Sequence, residues 1–176
     1  MAKSLDMFQN AYGSESIYIT DASENYDYSA KPWYGGTKTI IVNAAMADGK
    51  YIRLPEATVK NAGLHVKVVL GIAIADDFFV GFVTSVIQGG AVAVGDTDEG
   101  SGSSLDYATA IADAGDGILR VHFNLDTVAS AGGTGGTVLD FWYPGVANVM
   151  FYRGHLISEI NDPTLTAHFE NTAVNA

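Results

Sequence analysis

The sequence predicts an all-β protein: an antiparallel β-sandwich or jelly-roll-like body with an extended N-terminal arm and a polar C-terminal tail. The stretch 64–88 contains two apolar runs rich in β-branched and aromatic residues, joined at Ala75-Asp76-Asp77. Each run is long enough to cross a sheet. Twenty glycines against four prolines indicate tight turns rather than long helices. Turn signals separate about eight such strands, which is typical of a sandwich.

Length and composition place the chain among single-domain globular proteins. At 176 residues it is long enough to bury a core without a disulfide or metal to hold it together. The hydrophobic content of 48% with 16% charged residues argues against disorder over the whole length. The chain contains no cysteine, so it has no disulfide, thiolate metal site or thiol nucleophile. No segment recurs with a period of 20–50 residues, which argues against a solenoid.

The net charge of −11 argues against a nucleic-acid partner, because an acidic surface repels phosphates. The charge is uneven: seven basic residues match seven acidic ones up to Ala75, and Arg120 and Arg153 oppose thirteen acids after it. The asymmetry serves solubility, or it indicates that the neutral N-terminal part docks on a partner. No apolar run reaches the roughly 20 residues of a membrane helix, and residues 1–10 lack the features of a signal peptide. We therefore expect no membrane partner.

The pattern divides the chain into an arm (1–36), a β-sandwich domain (37–157) and a tail (158–176). Residues 1–36 combine polar residues with scattered aromatics and few aliphatics, and only 16–20 alternates as a strand does. Because aromatics are enriched at interfaces, this segment is interpreted as an arm that packs on a neighbour. The alternative is a strand-and-loop segment that wraps its own core.

The domain itself is predicted to consist of strands joined by short turns. Asp48-Gly49 is a reverse-turn pair, and 55–63 has proline at a first helical position and Gly63 as a stop. The glycine-rich stretches at 89–90 and 95–104 are predicted as loops. Residues 107–117 are ambiguous between a helical turn and a strand edge. Strands are predicted at 37–43, 50–54, 64–75, 78–88, 117–126, 138–143 and 146–157.

The clearest alternation is in 117–126. Leu119, Val121 and Phe123 point to one face, and Arg120, His122 and Asn124 to the other. The first face is expected in the core. The second is a candidate seam between subunits, because polar groups on a strand can form hydrogen bonds across a symmetry axis.

Candidate catalytic and metal-binding patterns are weak, and we predict no enzyme, no cofactor and no metal. The four histidines lack metal-ligand spacing, and Ser85 is not in a G-x-S-x-G elbow. Asp76 and Asp77 would face opposite ways in a tight turn, which does not suit a glycosidase pair. Oxygen ligands for calcium are available, but without the twelve-residue loop pattern, at Asp96, Asp98, Glu99, Asp113 and Asp116.

Several runs carry a resemblance to a known family: DGKYIRLPEAT at 48–58, GLHVKVVLG at 63–71, VGFVTS at 80–85, AGGTGGT at 131–137 and RGHLISE at 153–159. In order and composition the chain resembles small virion proteins of tailed phages, particularly marine and cyanobacterial ones. The resemblance covers about 37–159. It implies a structural protein on the virus particle, a capsid decoration (cement) protein on the outside of the head.

The resemblance also implies partners and contacts. The partners would be the major capsid protein and further copies of the chain, as a homotrimer on the virion surface. The contact residues we predict are Phe8, Tyr12, Trp33, Tyr34, Arg120, His122 and Asn124. The alternative function is a head-fibre, tail or receptor-binding module, in which Trp33, Tyr34, Trp142 and Tyr143 would stack on cell-surface glycans.

Overall fold

Two β-sheets account for most of the part of the chain that this computed structural model describes, residues 14–96, 105–123, 133–158, 165 and 168–174. The strands are β1 (Glu15–Ile19), β2 (Tyr26–Asp27), β3 (Thr37–Val42), β4 (Lys50–Arg53), β5 (His65–Leu70), β6 (Phe78–Gly81), β7 (Val86–Asp96), β8 (Leu105–Ala112), β9 (Arg120–Phe123), β10 (Val138–Trp142), β11 (Val149–Ser158) and β12 (Phe169–Glu170). Two 3-10 turns, Val59–Asn61 and Ala114–Asp116, are the described helical segments.

The seven-stranded sheet has the order β1-β3-β5-β10-β11-β7-β8, and the five-stranded sheet β12-β9-β6-β4-β2. The core lies between them. Fully buried side chains include Ile40, Val68 and Phe141 from the larger sheet and Ile52 and Val80 from the smaller one. The prediction of an all-β, sandwich-like fold is confirmed.

The sheets are mixed rather than purely antiparallel. Five of the ten described strand pairs are parallel, and they join β1 to β3, β3 to β5, β2 to β4, β4 to β6, and β7 to β11. For the four pairs within β1–β6 the cause is the chain path, because each strand from β2 to β6 lies in the other sheet from the strand before it. A strand that returns to its own sheet after such an excursion runs parallel to its predecessor.

The described part of the segment predicted as an arm packs on its own domain. β1 pairs with β3 at one edge of the large sheet, and β2 pairs with β4 at one edge of the small sheet. Ile19 is fully buried, and Trp33 is only 8% exposed in the core. This arrangement matches the alternative interpretation, a segment that wraps its own core. Phe8 and Tyr12 lie outside the described residues.

The predicted strand over 78–88 is two strands in different sheets. β6 belongs to the small sheet and β7 to the large one. Between them, the Glu56 carboxylate accepts hydrogen bonds from the backbone N–H groups of Val83 (2.7 Å) and Ser85 (2.7 Å), so these groups do not join a ladder. A side chain 28 residues upstream therefore breaks the apolar run. Gly89 and Gly90, predicted in a loop, lie within β7.

The described part of the tail also packs on the body. Leu165, His168 and Val174 are buried. The N–H of Val174 donates to the carbonyl of Phe82 at 3.0 Å, and β12 pairs with β9. Across the described ranges, no helix has the length and apolar character that a membrane crossing requires.

Candidate interaction surface

The outer face of the seven-stranded sheet, the side away from the core, carries its side chains in rows that run across the strands. Cross-strand pairing aligns Lys67 of β5 with Asp140 of β10, and Asp140 with Arg153 of β11. We call Lys67, Asp140 and Arg153 the charged row. Lys67 comes from a strand that is far from β10 and β11 in the sequence, so the complete row exists only in the folded chain.

A nearly buried carboxylate organises the charged row. The Asp140 side chain is 6% exposed, and its oxygens lie 3.1 Å from His65 Nε2, 3.7 Å from Lys67 Nζ and 3.3 Å from Arg153 Nη2. The Arg153 side chain is 60% exposed and that of Lys67 is 39% exposed. One carboxylate thus lies beneath two exposed cations, which leaves a local excess of positive charge on a protein of net charge −11.

An aromatic ring contacts one of these two cations, Arg153, and also the neighbouring His65. The Trp142 ring is stacked on the His65 ring, with centroids 5.1 Å apart and planes 13° apart. The guanidinium of Arg153 lies 5.1 Å from the centroid of the Trp142 ring, a cation–π distance. Strand pairing also aligns Trp142 with Phe151 of β11, and we call His65, Trp142 and Phe151 the aromatic row. Ring contacts restrict the rotamers of His65 and Arg153, which lowers the entropy they would lose on binding.

On the other side of the charged row lies an apolar row. Pairing aligns, in order, Tyr18, Ile41, Val69, Val138, His155 and Val92. Five of the ten large hydrophobic side chains that are exposed in the described chain lie on this outer face, and they are Tyr18, Val92, Ile111, Phe151 and Ile157. Exposed apolar side chains that share one face of a sheet favour a surface that binds protein.

The outer face of the five-stranded sheet holds the predicted seam residues Arg120 and His122. Arg120 Nε donates to Glu170 Oε2 at 2.7 Å, and the Arg120 guanidinium lies 3.9 Å from the Phe79 ring centroid. The His122 ring nitrogens lie 3.2 Å from Asp77 and 2.9 Å from Glu170, within ion-pair distance but without hydrogen-bond alignment. Both residues thus contact groups of their own chain. The third predicted seam residue, Asn124, lies outside the described part.

The two aromatics predicted as contacts in the former arm differ in exposure. Trp33 is buried and stacks on Tyr28 with centroids 5.2 Å apart, whereas Tyr34 is 66% exposed. Tyr34 borders a shallow open cleft of about 270 Å³, which Lys31 and Lys60 also line. Of this pair, Tyr34 is the side chain available to a partner.

The groups considered for catalysis contact structural partners. Tyr152 Oη lies 2.8 Å from His168 Nε2, and His168 Nδ1 lies 2.9 Å from the carbonyl of His122, so the buried His168 is bonded on both sides. Burial lowers the pKa of His168 to about 4. The Ser85 hydroxyl donates to Glu56 at 2.6 Å. Within the described ranges, no group of three His, Asp or Glu side chains has the arrangement of a metal site.

Sequence reasoning did not identify the outer face of the large sheet. The run VLDFW at 138–142 is the pattern of an apolar strand, and only pairing with β5 and β11 shows that Asp140 has cations on both sides. The short-range signal available was the alternation of 149–158, where Phe151, Arg153 and His155 share one face.

Comparison of the chain with models of protein families, with curated proteins and with solved structures finds no match.

Proposed function

We propose that this protein is a structural component of a virus particle, a capsid decoration protein that stabilises the shell of a phage head by binding to other proteins. The observation that carries the protein-binding part is the outer face of the seven-stranded sheet, where half of the exposed large hydrophobic side chains flank the charged row. The virion assignment rests on the sequence resemblance over 37–159.

Binding alone is sufficient for this function. A protein that binds the assembled shell and not the free subunits stabilises the shell by mass action. Because many copies bind to one particle, their individually weak contacts together give a large stabilisation of the shell. The Asp140 ion pairs and the Trp142 ring contacts restrict the side chains of His65 and Arg153 on the outer face, which limits the entropy cost of each contact.

Virions isolated from infected cells and labelled with an antibody against the chain test the assignment. We expect label on the head surface, and purified protein should bind heads from a deletion strain. Particles without the protein would be expected to lose their DNA at lower temperature. Label restricted to tails, or a protein absent from purified virions, would contradict the proposal.

A pair of variants tests whether the outer face contributes. Phe151→Asp places a charge on the face at a residue that is 43% exposed, and Val59→Asp does so at a residue outside both sheets that is 73% exposed. Because only the first change alters the face, we expect Phe151→Asp to weaken binding to heads by tenfold or more and Val59→Asp to leave it unchanged. Equal binding by both variants would exclude the outer face.

The alternative, a head-fibre, tail or receptor-binding module for glycans, depends on exposed aromatics. Trp33 and Tyr143 are buried, and the half-buried Trp142 has one face stacked on His65, so two of the four predicted rings cannot stack on a glycan and a third is partly covered. Tyr34 beside the cleft is the observation that favours this alternative. A glycan array would decide, because binding that is lost in Tyr34→Ala would support the receptor-binding module.

A further inference from the structure

The charges at one end of the molecule are opposite in sign to those of the charged row. Three connections meet at this end, the segments 21–24, 47–49 and 75–77. Backbone hydrogen bonds link them, from Ala47 to Ala22 (3.1 Å) and from Gly49 to Asp77 (3.0 Å). They form one surface because these bonds hold the loops side by side.

This surface is acidic and exposed. It carries four carboxylates that have no cationic partner among the described residues, and we call them the acidic end: Asp21, Glu24, Asp48 and Asp76. The one cation beside them in the sequence is Lys50, which forms no ion pair with a described residue. The acidic end therefore has a net negative charge that the chain itself does not neutralise.

The outer face of the large sheet is positive where it is described. Its described side chains include two cations, Lys67 and Arg153, above the single carboxylate of Asp140. Two copies of a chain with net charge −11 repel each other unless a contact brings opposite charges together. The charged row and the acidic end are surfaces of one molecule that satisfy this condition.

We propose that the outer face of the seven-stranded sheet binds a second copy of this chain, with the acidic end of one copy on the charged row of the other. The inference deepens the proposed function, because it rests on that face being a protein-binding surface and names its partner. The apolar and aromatic rows on either side of the charged row supply buried area, and the opposite charges set the orientation.

The choice of a second copy over another protein follows from what the chain contains. The complementary surface is already present on every copy, and its four carboxylates outnumber the excess charge of the row. Another acidic protein would bind the charged row equally well, but it would leave the acidic end without a partner. A contact between copies uses both surfaces.

The test adds carboxylates to the sheet face and lysines to the acidic end, at positions that form no ion pair with a described residue, and we call both double variants charge-reversed. Ile111, Glu24 and Asp48 are exposed, and Thr39 is half-buried. Thr39→Glu with Ile111→Glu places two carboxylates in line with the charged row, beside Lys67 and two strands from Arg153. Glu24→Lys with Asp48→Lys reverses the acidic end. The matched neutral control is Thr39→Gln with Ile111→Gln. Circular dichroism and a thermal melt confirm that each variant is folded.

Sedimentation at about 100 µM detects association with a Kd of up to roughly 50 µM. We expect dimers or larger species for the unmodified chain and the neutral control. Each charge-reversed variant should associate at least tenfold more weakly. An equimolar mixture of the two reversed variants should recover a complex, because the carboxylates added to one then face the lysines added to the other.

Three results would overturn the inference. They are a monomeric unmodified chain at this concentration, a reversed variant that associates as the unmodified chain does, or a mixture that stays monomeric. Binding to phage heads is measured separately, so a monomeric chain that binds heads would refute this inference and leave the proposed function standing.

Discussion

Glu56 shows how one side chain can define the architecture around it. Its carboxylate accepts three backbone N–H groups, from Val83, Thr84 and Ser85, and the hydroxyls of Thr84 (2.9 Å) and Ser85 (2.6 Å). Burial raises the pKa of Glu56, but the hydrogen bonds from Ser85 and its neighbours outweigh it, and the pKa lies below its usual value. The ionised form is therefore the one that holds the break between β6 and β7.

Glu56→Gln tests this contact. Glutamine is the same size, but its NH₂ group cannot accept a hydrogen bond, and hydrogen bonds to a charged group contribute about 1.5–3 kcal/mol each. We expect the free energy of unfolding to fall by about 2–4 kcal/mol in a urea titration, with the loss diminishing as pH falls below about 4.5. The control Glu24→Gln, at an exposed residue, should stay within about 0.5 kcal/mol. Equal effects of the two changes would contradict the assignment.

His168 predicts a second pH dependence. It is fully buried, and burial lowers its pKa to about 4 from 6.5. As pH falls, His168 is protonated at a higher pH in the unfolded chain than in the folded chain. Neutral His168 therefore makes its full contribution to the free energy of unfolding above pH 6.5. That contribution is lost as pH falls from 6.5 to 4, about 3 kcal/mol in all.

Urea titrations of the unmodified chain and His168→Gln at several pH values between 7 and 4 measure this contribution. Glutamine can still accept from Tyr152 and donate to the His122 carbonyl, but it does not titrate. We expect a shallower loss of stability in the variant. His155→Gln, at an exposed histidine, should leave the slope unchanged. Parallel pH profiles for His168→Gln and the unmodified chain would show that His168 does not govern this range.

At the scale of elements, ion pairs on the outer face of the small sheet link its edge strands to their neighbours. Arg120 of β9 pairs with Glu170 of β12, and Arg53 of β4 pairs with Asp27 of β2 at 2.9 Å. Arg53 also donates to the carbonyl of Val174 at 2.8 Å. These contacts hold the two short edge strands and the end of the described chain, where few ladder hydrogen bonds are available.

Glu170→Gln should loosen β12 without unfolding the domain. Loss of the charge weakens the contacts to Arg120 and His122, both largely shielded from solvent, so we expect a loss of about 1–2 kcal/mol in the free energy of unfolding. Amide hydrogen exchange should accelerate at Leu119, whose N–H donates to the Glu170 carbonyl, and not at Val68 in the large sheet. An unchanged exchange rate at Leu119 would show that backbone hydrogen bonds hold β12 in place without the Glu170 side chain.

Local patterns predicted the individual strands better than their pairing. The alternation of 117–126 correctly places Val121 in the core and Arg120 and His122 outside, since a strand side chain's face depends only on its position along the strand. The break within 78–88 was missed because it depends on Glu56, and the apolar sequence there shows no turn signal. The parallel pairs were also missed, since the alternation of strands between the sheets produces no repeat in the sequence.

The same limit applied to the candidate surface. Trp33 was predicted to contact a partner because its segment has aromatics but few aliphatic residues, but a single large ring can reach a core that is formed mostly by the rest of the domain. Alternation along β11 predicts that Arg153 and His155 share one face. The charged row could not be predicted in this way, because it depends on which strands lie beside β10. Sequence patterns therefore predicted most of the strands, whereas the arrangement of residues on the outer face could be seen only in the folded structure.

At the scale of the whole molecule, the described N-terminal segment is part of both sheets. β1 completes one edge of the large sheet, β2 completes one edge of the small sheet, and Ile19 and Trp33 lie in the shared core. A segment that contributes to each layer and to the core between them cannot be a detachable arm. Its removal would expose the edges of β3 and β4 and leave a cavity between the sheets.

Deletion of residues 1–36 should therefore abolish cooperative folding, because it removes two edge strands and at least two core side chains. We expect no sigmoidal transition in thermal or urea unfolding of the shortened chain, and recovery of β-sheet circular dichroism when a synthetic peptide of residues 14–36 is added. Trp33→Ala in that peptide should reduce the recovery, and Tyr34→Ala, which alters an exposed ring, should not. A shortened chain that unfolds cooperatively at the midpoint of the full chain would show that the body folds without this segment and would restore the interpretation of residues 1–36 as an arm.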